Sequence, residues 1–415
     1  MDRENDTNLK HEKIKEKKFY YGEKPKLILD KDNKIFAFDN NSARILKESF
    51  FGIEKDNRLE LNPIEALYLV NIRKISCFKD EKQLDFLDLL KIFSNVKRIF
   101  AKYNVYRDWR DRGIIPSFID RIEEKNFERS PSISYPSRSF TLPKLGKELI
   151  YIEEDAISLI KADENVEKLF EDFWFGQLGV YKQHTRDKFL KLDFIETLFL
   201  VKHGYVARSM KTGKELSFES LLKKIKKQER NVEALLDVYE DWRLRGYIIK
   251  TGFKFGTHFR LYFPGASPIK EKSKWIHSKH VIHVFPKEVR MRMSEWARAV
   301  RVAHSVRKTF IMAIPGMKEE EYEKGEIDFI GYHRKKIGIE KPNEDSPKFA
   351  IIAFTEDEKL GGKELACALR RADDLGLRLI IAISDRETSV TYYVAKRISL
   401  PGSKNTYYEI EWEQP

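Results

Sequence analysis

The sequence predicts an α/β (α+β) protein assembled from repeated small units, each mixing short strands with helices. Three observations carry this. Period-2 and period-3.6 apolar spacing alternate within short segments. One such segment recurs about 130 residues further on. A second segment, in the C-terminal half, recurs at an offset of about 69 residues. At 415 residues the chain is long enough for several such domains.

Composition narrows the partners. The net charge is +12 and the pI about 9.2, which favours a polyanionic partner such as nucleic acid or a membrane surface. Two distant cysteines, Cys77 and Cys367, argue against a disulfide framework and for an intracellular, reducing compartment. Met1 to Lys18 is charged and polar, unlike a signal peptide, and its Lys/Glu-rich composition predicts a disordered lead-in. No apolar run approaches the roughly 18 residues of a membrane span, and no membrane is expected among the partners.

The first unit is placed at 19–128. KLIL from Lys26 and KIFAF from Lys34 are short strands around the turn-like DKDN at 30–33. Helical spacing follows from Ser42 to Phe50. A further helix begins after Asn62, a plausible cap, with Pro63 in its first turn. Phe86 to Trp109 again has helical spacing. Residues 129–146 are rich in Ser and Pro and read as a linker.

The second copy is the N-terminal half of a longer unit, 147–250. LELNPIEALYL at 59–69 recurs as LKLDFIETLFL at 190–200. SFFG ending at Gly52 recurs as FWFG ending at Gly176, and VYRDWRDRGII ending at Ile115 as VYEDWRLRGYI ending at Ile248. Between Gly176 and Lys191 the second copy carries an insertion with Lys182, Arg186 and Lys188, which we expect to extend contact with an anion. The first copy meets Pro116 and stops where the second continues.

That continuation, 251–338, concentrates the groups able to move protons or carry charge. FRLY ending at Tyr262 alternates as a strand, with Arg260 and Tyr262 opposite Phe259 and Leu261. Val281 to Phe285 is a strand stopped by Pro286. Met293 to Phe310 has helical spacing. Ala299, Val302, Ala303, Val306 and Phe310 form an apolar stripe opposite Arg301, His304, Ser305 and Lys308.

The last segment, 345–415, repeats this half. HSKHVIHVFP at 277–286 aligns with SPKFAIIAFT at 346–355, and MSEWARAVRVAHSVRK with GKELACALRRADDLGL. His277 becomes Ser346, Lys308 becomes Leu377 and Arg301 matches Arg370. Arg334 is matched to Arg397, and no equivalent of the Tyr262 strand is expected before Ser346. The acidic loop SDRET at 384–388 and the acidic stretch Lys318 to Glu326 occupy corresponding places. The alternating strand from Tyr407 to Trp412 is a candidate for pairing across a two-fold axis.

The motifs GYIIKTGFKFG, FRLY with a following Gly loop, HS before a strand ending in Pro, and RVAHSVRK resemble the catalytic half of archaeal tRNA-splicing endonucleases (tRNA-intron lyases). The whole order resembles their three-unit homodimeric type. The resemblance implies restriction-endonuclease-like mixed sheets in the C-terminal halves. It implies a catalytic triad at Tyr262, His277 and Lys308, and arginines, Arg301 and Arg334, that hold a bulged base. Asp385 and Glu387 would dock on a neighbouring unit. The substrate would be precursor tRNA at bulge-helix-bulge junctions, in the cytoplasm of an archaeal cell, cut without a metal or other cofactor by a homodimer with one triad per chain.

The chemistry is consistent with those residue types. RNA carries its own nucleophile, the 2′-OH. A phenol, an imidazole and an ammonium supply a base, an acid and a counter-charge for the phosphorane. Two alternatives stand beside this one. A metal-dependent nuclease would need a carboxylate pair and a lysine at a strand edge. An RNA-binding scaffold would need no triad. His277, His280 and His283 do not form a metal set, because on a strand His280 points away from the other two.

Overall fold

A computed structural model describes residues 24–179, 188–269, 276–335 and 338–415. The expected lead-in at 1–18, and Lys182 and Arg186 of the insertion, lie outside the described residues. Residues up to 99 and from 100 onward form two compact units.

Each N-terminal half is a six-stranded sheet, and the two have the same strand order, 3-4-2-1-5-6 in chain order within each copy. The predicted strands at Lys26–Leu29 and Ile35–Ala37 pair antiparallel, and the helix begins at Pro63 as expected. Its cap is a reciprocal box: Asn62 accepts from Ile64 N and Glu65 accepts from Asn62 N. The repeat reproduces this with Asp193 and Glu196. Phe86 to Trp109 is not one helix. It divides into Phe86–Ile92 and α1 (Ile99–Asp111), because Arg98 adopts a left-handed backbone (φ 58°) that ends any continuous helix.

The second unit is organised by one 11-stranded mixed sheet. Its strands are β1 (Ser117–Phe118), β2 (Ile133–Ser134), β3 (Ile248–Thr251), β4 (Phe259–Tyr262), β5 (His280–Val284), β6 (Thr309–Ile314), β7 (Phe329–Gly331), β8 (Phe349–Thr355), β9 (Arg378–Ser384), β10 (Val390–Ser399) and β11 (Thr406–Glu413). Across the sheet they run β3-β4-β5-β6-β11-β10-β9-β8-β7-β1, with β2 added to β10. Two helices lie in the half that carries the site, α2 (Val232–Arg243) and α3 (Met293–Ser305), and α4 (Gly362–Asp374) is the counterpart of α3 in the repeat. The near-continuous Val/Ile/Phe/Ala runs of β5, β6, β8 and β9 suit strands covered on both faces.

The register corrects the sequence reading in four places. First, a strand equivalent to the Tyr262 strand does precede Ser346. β4 places Leu261 opposite His280, and β7 places Gly331 opposite Phe349, which is 69 residues after His280. Tyr332 is thus the counterpart of Tyr262, and Ile330 that of Arg260. The three-residue strand carries no alternation by itself, so only long-range pairing reveals it. Second, β1 pairs with β7 as β3 pairs with β4, so the first copy does not stop at Pro116 but adds a strand to the last unit. Third, Arg334 follows β7 and therefore does not match Arg397, which lies on β10. Fourth, β11 is not free for a two-fold pairing, because β6 and β10 occupy both its edges.

The Ser/Pro-rich stretch is more than a linker. It lays β2 against β10 and buries Tyr135, whose hydroxyl donates to Glu409 at 2.5 Å. Tyr247 Oη donates to Pro136 O of the same strap, whose Arg138 N donates to Arg245 O.

α3 also differs from the expected stripe. Its buried face is Met293, Trp296, Ala297, Val300 and Ala303, whereas Val302 and Val306 are 37% and 45% exposed. The helix ends at Ser305, and Arg307 turns left-handed (φ 55°). Lys308 N–H then reaches back to Ala303 O, a six-to-one closure. Lys308 consequently leaves the helix and enters the sheet side, and Phe310 belongs to β6. Gly376 (φ 64°) makes the equivalent turn in the repeat, where glycine meets no Cβ penalty.

Candidate active site

Tyr262, His277 and Lys308 come from the same end of three neighbouring strands. Tyr262 closes β4, His277 precedes β5, and Lys308 precedes β6; β4 pairs antiparallel and β6 parallel to β5. Strands lie about 4.8 Å apart, so the outer two backbones are separated by roughly 10 Å. A phenol and a lysyl chain can close that gap onto one phosphate.

Lys308 is anchored. Its Nζ donates to the carbonyl of Ser278 and, at 2.8 Å, to Ser278 Oγ, beside His277. It lies 4.9 Å from the centroid of Phe255. Burial, and then the charge of Arg260, hold its pKa below the usual lysine value. His277 is exposed. Tyr262, at the end of β4, is not exposed. Its ring is buried and packs 4.7 Å from Trp174, contributed by the FWFG turn of the N-terminal half.

A buried ion pair joins that turn to β3. Lys250 Nζ meets Glu196 Oε1 at 2.6 Å and Gly176 O at 2.9 Å, and Glu196 also accepts from Gly176 N. The TGFKFG loop after β3 is held tightly. A Cβ on Gly252 would approach Thr257 Oγ1 to 2.6 Å and Thr257 O to 2.7 Å, so only glycine lets the loop turn back into β4.

The other predicted residues are dispersed. Arg301 is exposed on α3, and its charge acts on the Tyr393 phenol of β10. Arg334 donates to Arg112 O at 2.8 Å, past the end of α1. Six strand steps separate β7 from β5, roughly 29 Å, so within one chain Arg334 does not reach the triad. Lys188 is exposed where the insertion rejoins the sheet. Asp385 Oδ1 accepts from Glu387 N and Ser389 N, shaping its own loop, while the Glu387 residue is exposed. The competing acidic stretch is engaged within the chain: Glu319 with Arg370, Glu321 with Lys287, Glu323 with Lys363.

His280 and His283 face opposite sides of β5. His280 meets Tyr135 and Phe263, and His283 meets His258 and Phe310. Burial pushes them down to about 4 and about 3. Among the described residues no cluster of three or more His, Cys, Asp or Glu could hold a metal, and no helix is long and apolar enough to cross a membrane.

The family pattern for the catalytic C-terminal domain of tRNA intron endonucleases matches residues 232–323, which span α2, β3 to β6 and all three site residues. The pattern for their N-terminal domain matches twice, at 26–90 and 152–222. The chain belongs to the tRNA intron endonuclease family. It is similar to a tRNA-splicing endonuclease of Methanosarcina mazei, 26% identical over 352 residues, covering 70% of this chain and 96% of that one. A tRNA-splicing endonuclease of Thermococcus onnurineus is 35% identical over 152 residues, 37% of this chain and 80% of the relative. One of Methanococcus maripaludis is 41% identical over 128 residues, 31% and 69% respectively. This tRNA intron endonuclease is accordingly an RNA-cleaving enzyme of tRNA splicing.

Proposed function

We propose that the enzyme cuts precursor tRNA at bulge-helix-bulge junctions in the cytoplasm, without a metal ion, through Tyr262, His277 and Lys308. The observation that carries this reading is the anchoring of Lys308 on Ser278, next to His277, one strand away from the end of β4. Tyr262 takes the 2′-OH proton, the 2′-oxygen bonds to phosphorus, and the bond to the 5′-oxygen breaks as His277 donates a proton to it. Lys308 balances the charge of the phosphorane. The products are a 2′,3′-cyclic phosphate and a 5′-OH. One triad per chain and two junctions per intron support a homodimer, with Asp385 and Glu387 on the docking loop. Arg301 holds an unstacked base, and Arg334, remote from its own triad, would serve the partner's.

Purified chain is expected to cut a bulge-helix-bulge RNA in excess chelator and to leave a fully paired duplex intact. Loss of cleavage on chelation would overturn the metal-free reading. Neutralising Lys182, Arg186 and Lys188 together is expected to narrow the range of bulge geometries cut; an unchanged range would remove the insertion from RNA recognition.

A further inference from the structure

We propose that Arg260 is a positioning residue of the reaction: its guanidinium holds the Tyr262 oxygen in the charge state that accepts the 2′-OH proton. This rests on the reading of Tyr262 as the base, a role for which an ordinary phenol, titrating near 10, is poorly suited at neutral pH.

Three observations converge on Arg260. It lies two residues before Tyr262 on β4, where strand alternation puts both on one face. Its Nη1 donates to Tyr262 Oη at 3.4 Å. Its Nε donates to Thr251 O at 2.8 Å, which fixes the guanidinium against β3. A cation that donates to the phenol oxygen favours the phenolate. Among the described residues, two neighbouring lysines are engaged elsewhere. Lys250, opposite it on β3, is already paired with Glu196. Lys308 is engaged with Ser278 and senses Arg260. His277 stands at the entry to β5, and Trp174 covers the ring.

The last unit supplies an internal contrast. There the phenol persists as Tyr332, in the same register, but Ile330 stands where Arg260 does. The neighbouring charges have reversed sign: burial, then Asp345 and Glu340, push Tyr332 up to about 12. A cation is nearby, but Arg129 of the strap is spent on Glu340 at 2.9 Å and on Ser346 O. The copy with Ser346 for His277 and Leu377 for Lys308 therefore also lacks the arginine that would ready its tyrosine.

The test uses the full chain and a junction RNA whose scissile 5′-oxygen is replaced by sulfur. That leaving group needs no acid, so the rate rises with pH until the base ionises. Arg260→Gln is expected to move this limb up by about one pH unit and to slow cleavage about tenfold at neutral pH. Arg260→Lys should recover part of the shift, and its melting temperature should match wild type. In a Tyr262→Phe background, Arg260→Gln should cost nothing further. An unmoved limb in both Arg260 variants, or the same loss with and without the phenol, overturns the assignment. Wild-type rates in Tyr262→Phe alone would instead show that the phenol is not the base.

Discussion

Lys308→Leu is expected to lower the single-turnover rate of junction cleavage by about a hundredfold or more while leaving the fold intact. The rate loss follows from removing the ammonium that Ser278 holds beside His277. Stabilising the developing charge of a transition state contributes about 10² to 10³ in rate. The intact fold follows from the molecule itself. Leu377 occupies the equivalent turn, fully buried, after Gly376 and with the same backbone closure, Leu377 N to Ala372 O. Leucine is therefore a side chain this turn already accommodates. His277→Ala should show a comparable loss, about 10² or more for a missing general acid, and its exposed position makes a folding defect unexpected. Rates within threefold of wild type, with RNA saturating, would contradict the roles assigned to these residues. A lowered melting temperature in Lys308→Leu would show that the Ser278 clamp is also structural.

The second large effect is on acid stability. His280 and His283 are buried and held down at about 4 and about 3, against 6.5 in an unfolded chain. Burial dominates both shifts, with Lys279 and Lys308 adding to it at His280 and His258 at His283. Between those values the unfolded chain binds the extra protons, so stability rises with pH there and is lost as pH falls from 6.5. At about 1.4 kcal/mol per unit, each ring contributes up to about 3 kcal/mol of loss by pH 4, a large share of a typical folding free energy. Urea midpoints should fall steeply from pH 6.5 to 4.5. His283→Phe should flatten the slope, since among the described residues neither ring nitrogen of His283 has a hydrogen-bond partner and the ring already stacks on Phe310. A flat wild-type profile over that range would show that these rings are hydrated in the folded chain.

The features of this fold that were legible in sequence are those set by local chemistry. The cap at Asn62, the strand before Pro286, and both duplications rest on short spacings that the structure keeps. The misreadings share a cause in long-range pairing or unusual backbone. Arg307 looks like a helix residue, and only its left-handed turn delivers Lys308 to the sheet. FIG at 329–331 is too short to announce a strand, yet its register makes Tyr332 the partner of Tyr262. Gly331 there has a reason of its own: a Cβ would meet the Trp109 ring at 2.6 Å, so the Leu261 counterpart has been reduced to hydrogen. Arg260 was visible as the residue sharing a face with Tyr262, but its significance needed the 3.4 Å contact and the isoleucine in the repeat.

End-group analysis tests the central claim most directly. Junction RNA is cut by purified enzyme in excess chelator, and the 5′ fragment and 3′ fragment are identified by mass. Attack by the 2′-OH, assisted only by protein side chains, gives a 2′,3′-cyclic phosphate on one and a 5′-OH on the other. A 5′-phosphate with a free 3′-OH, or dependence on added divalent metal, would mean that water rather than the RNA's own hydroxyl is the nucleophile, and the account would fail.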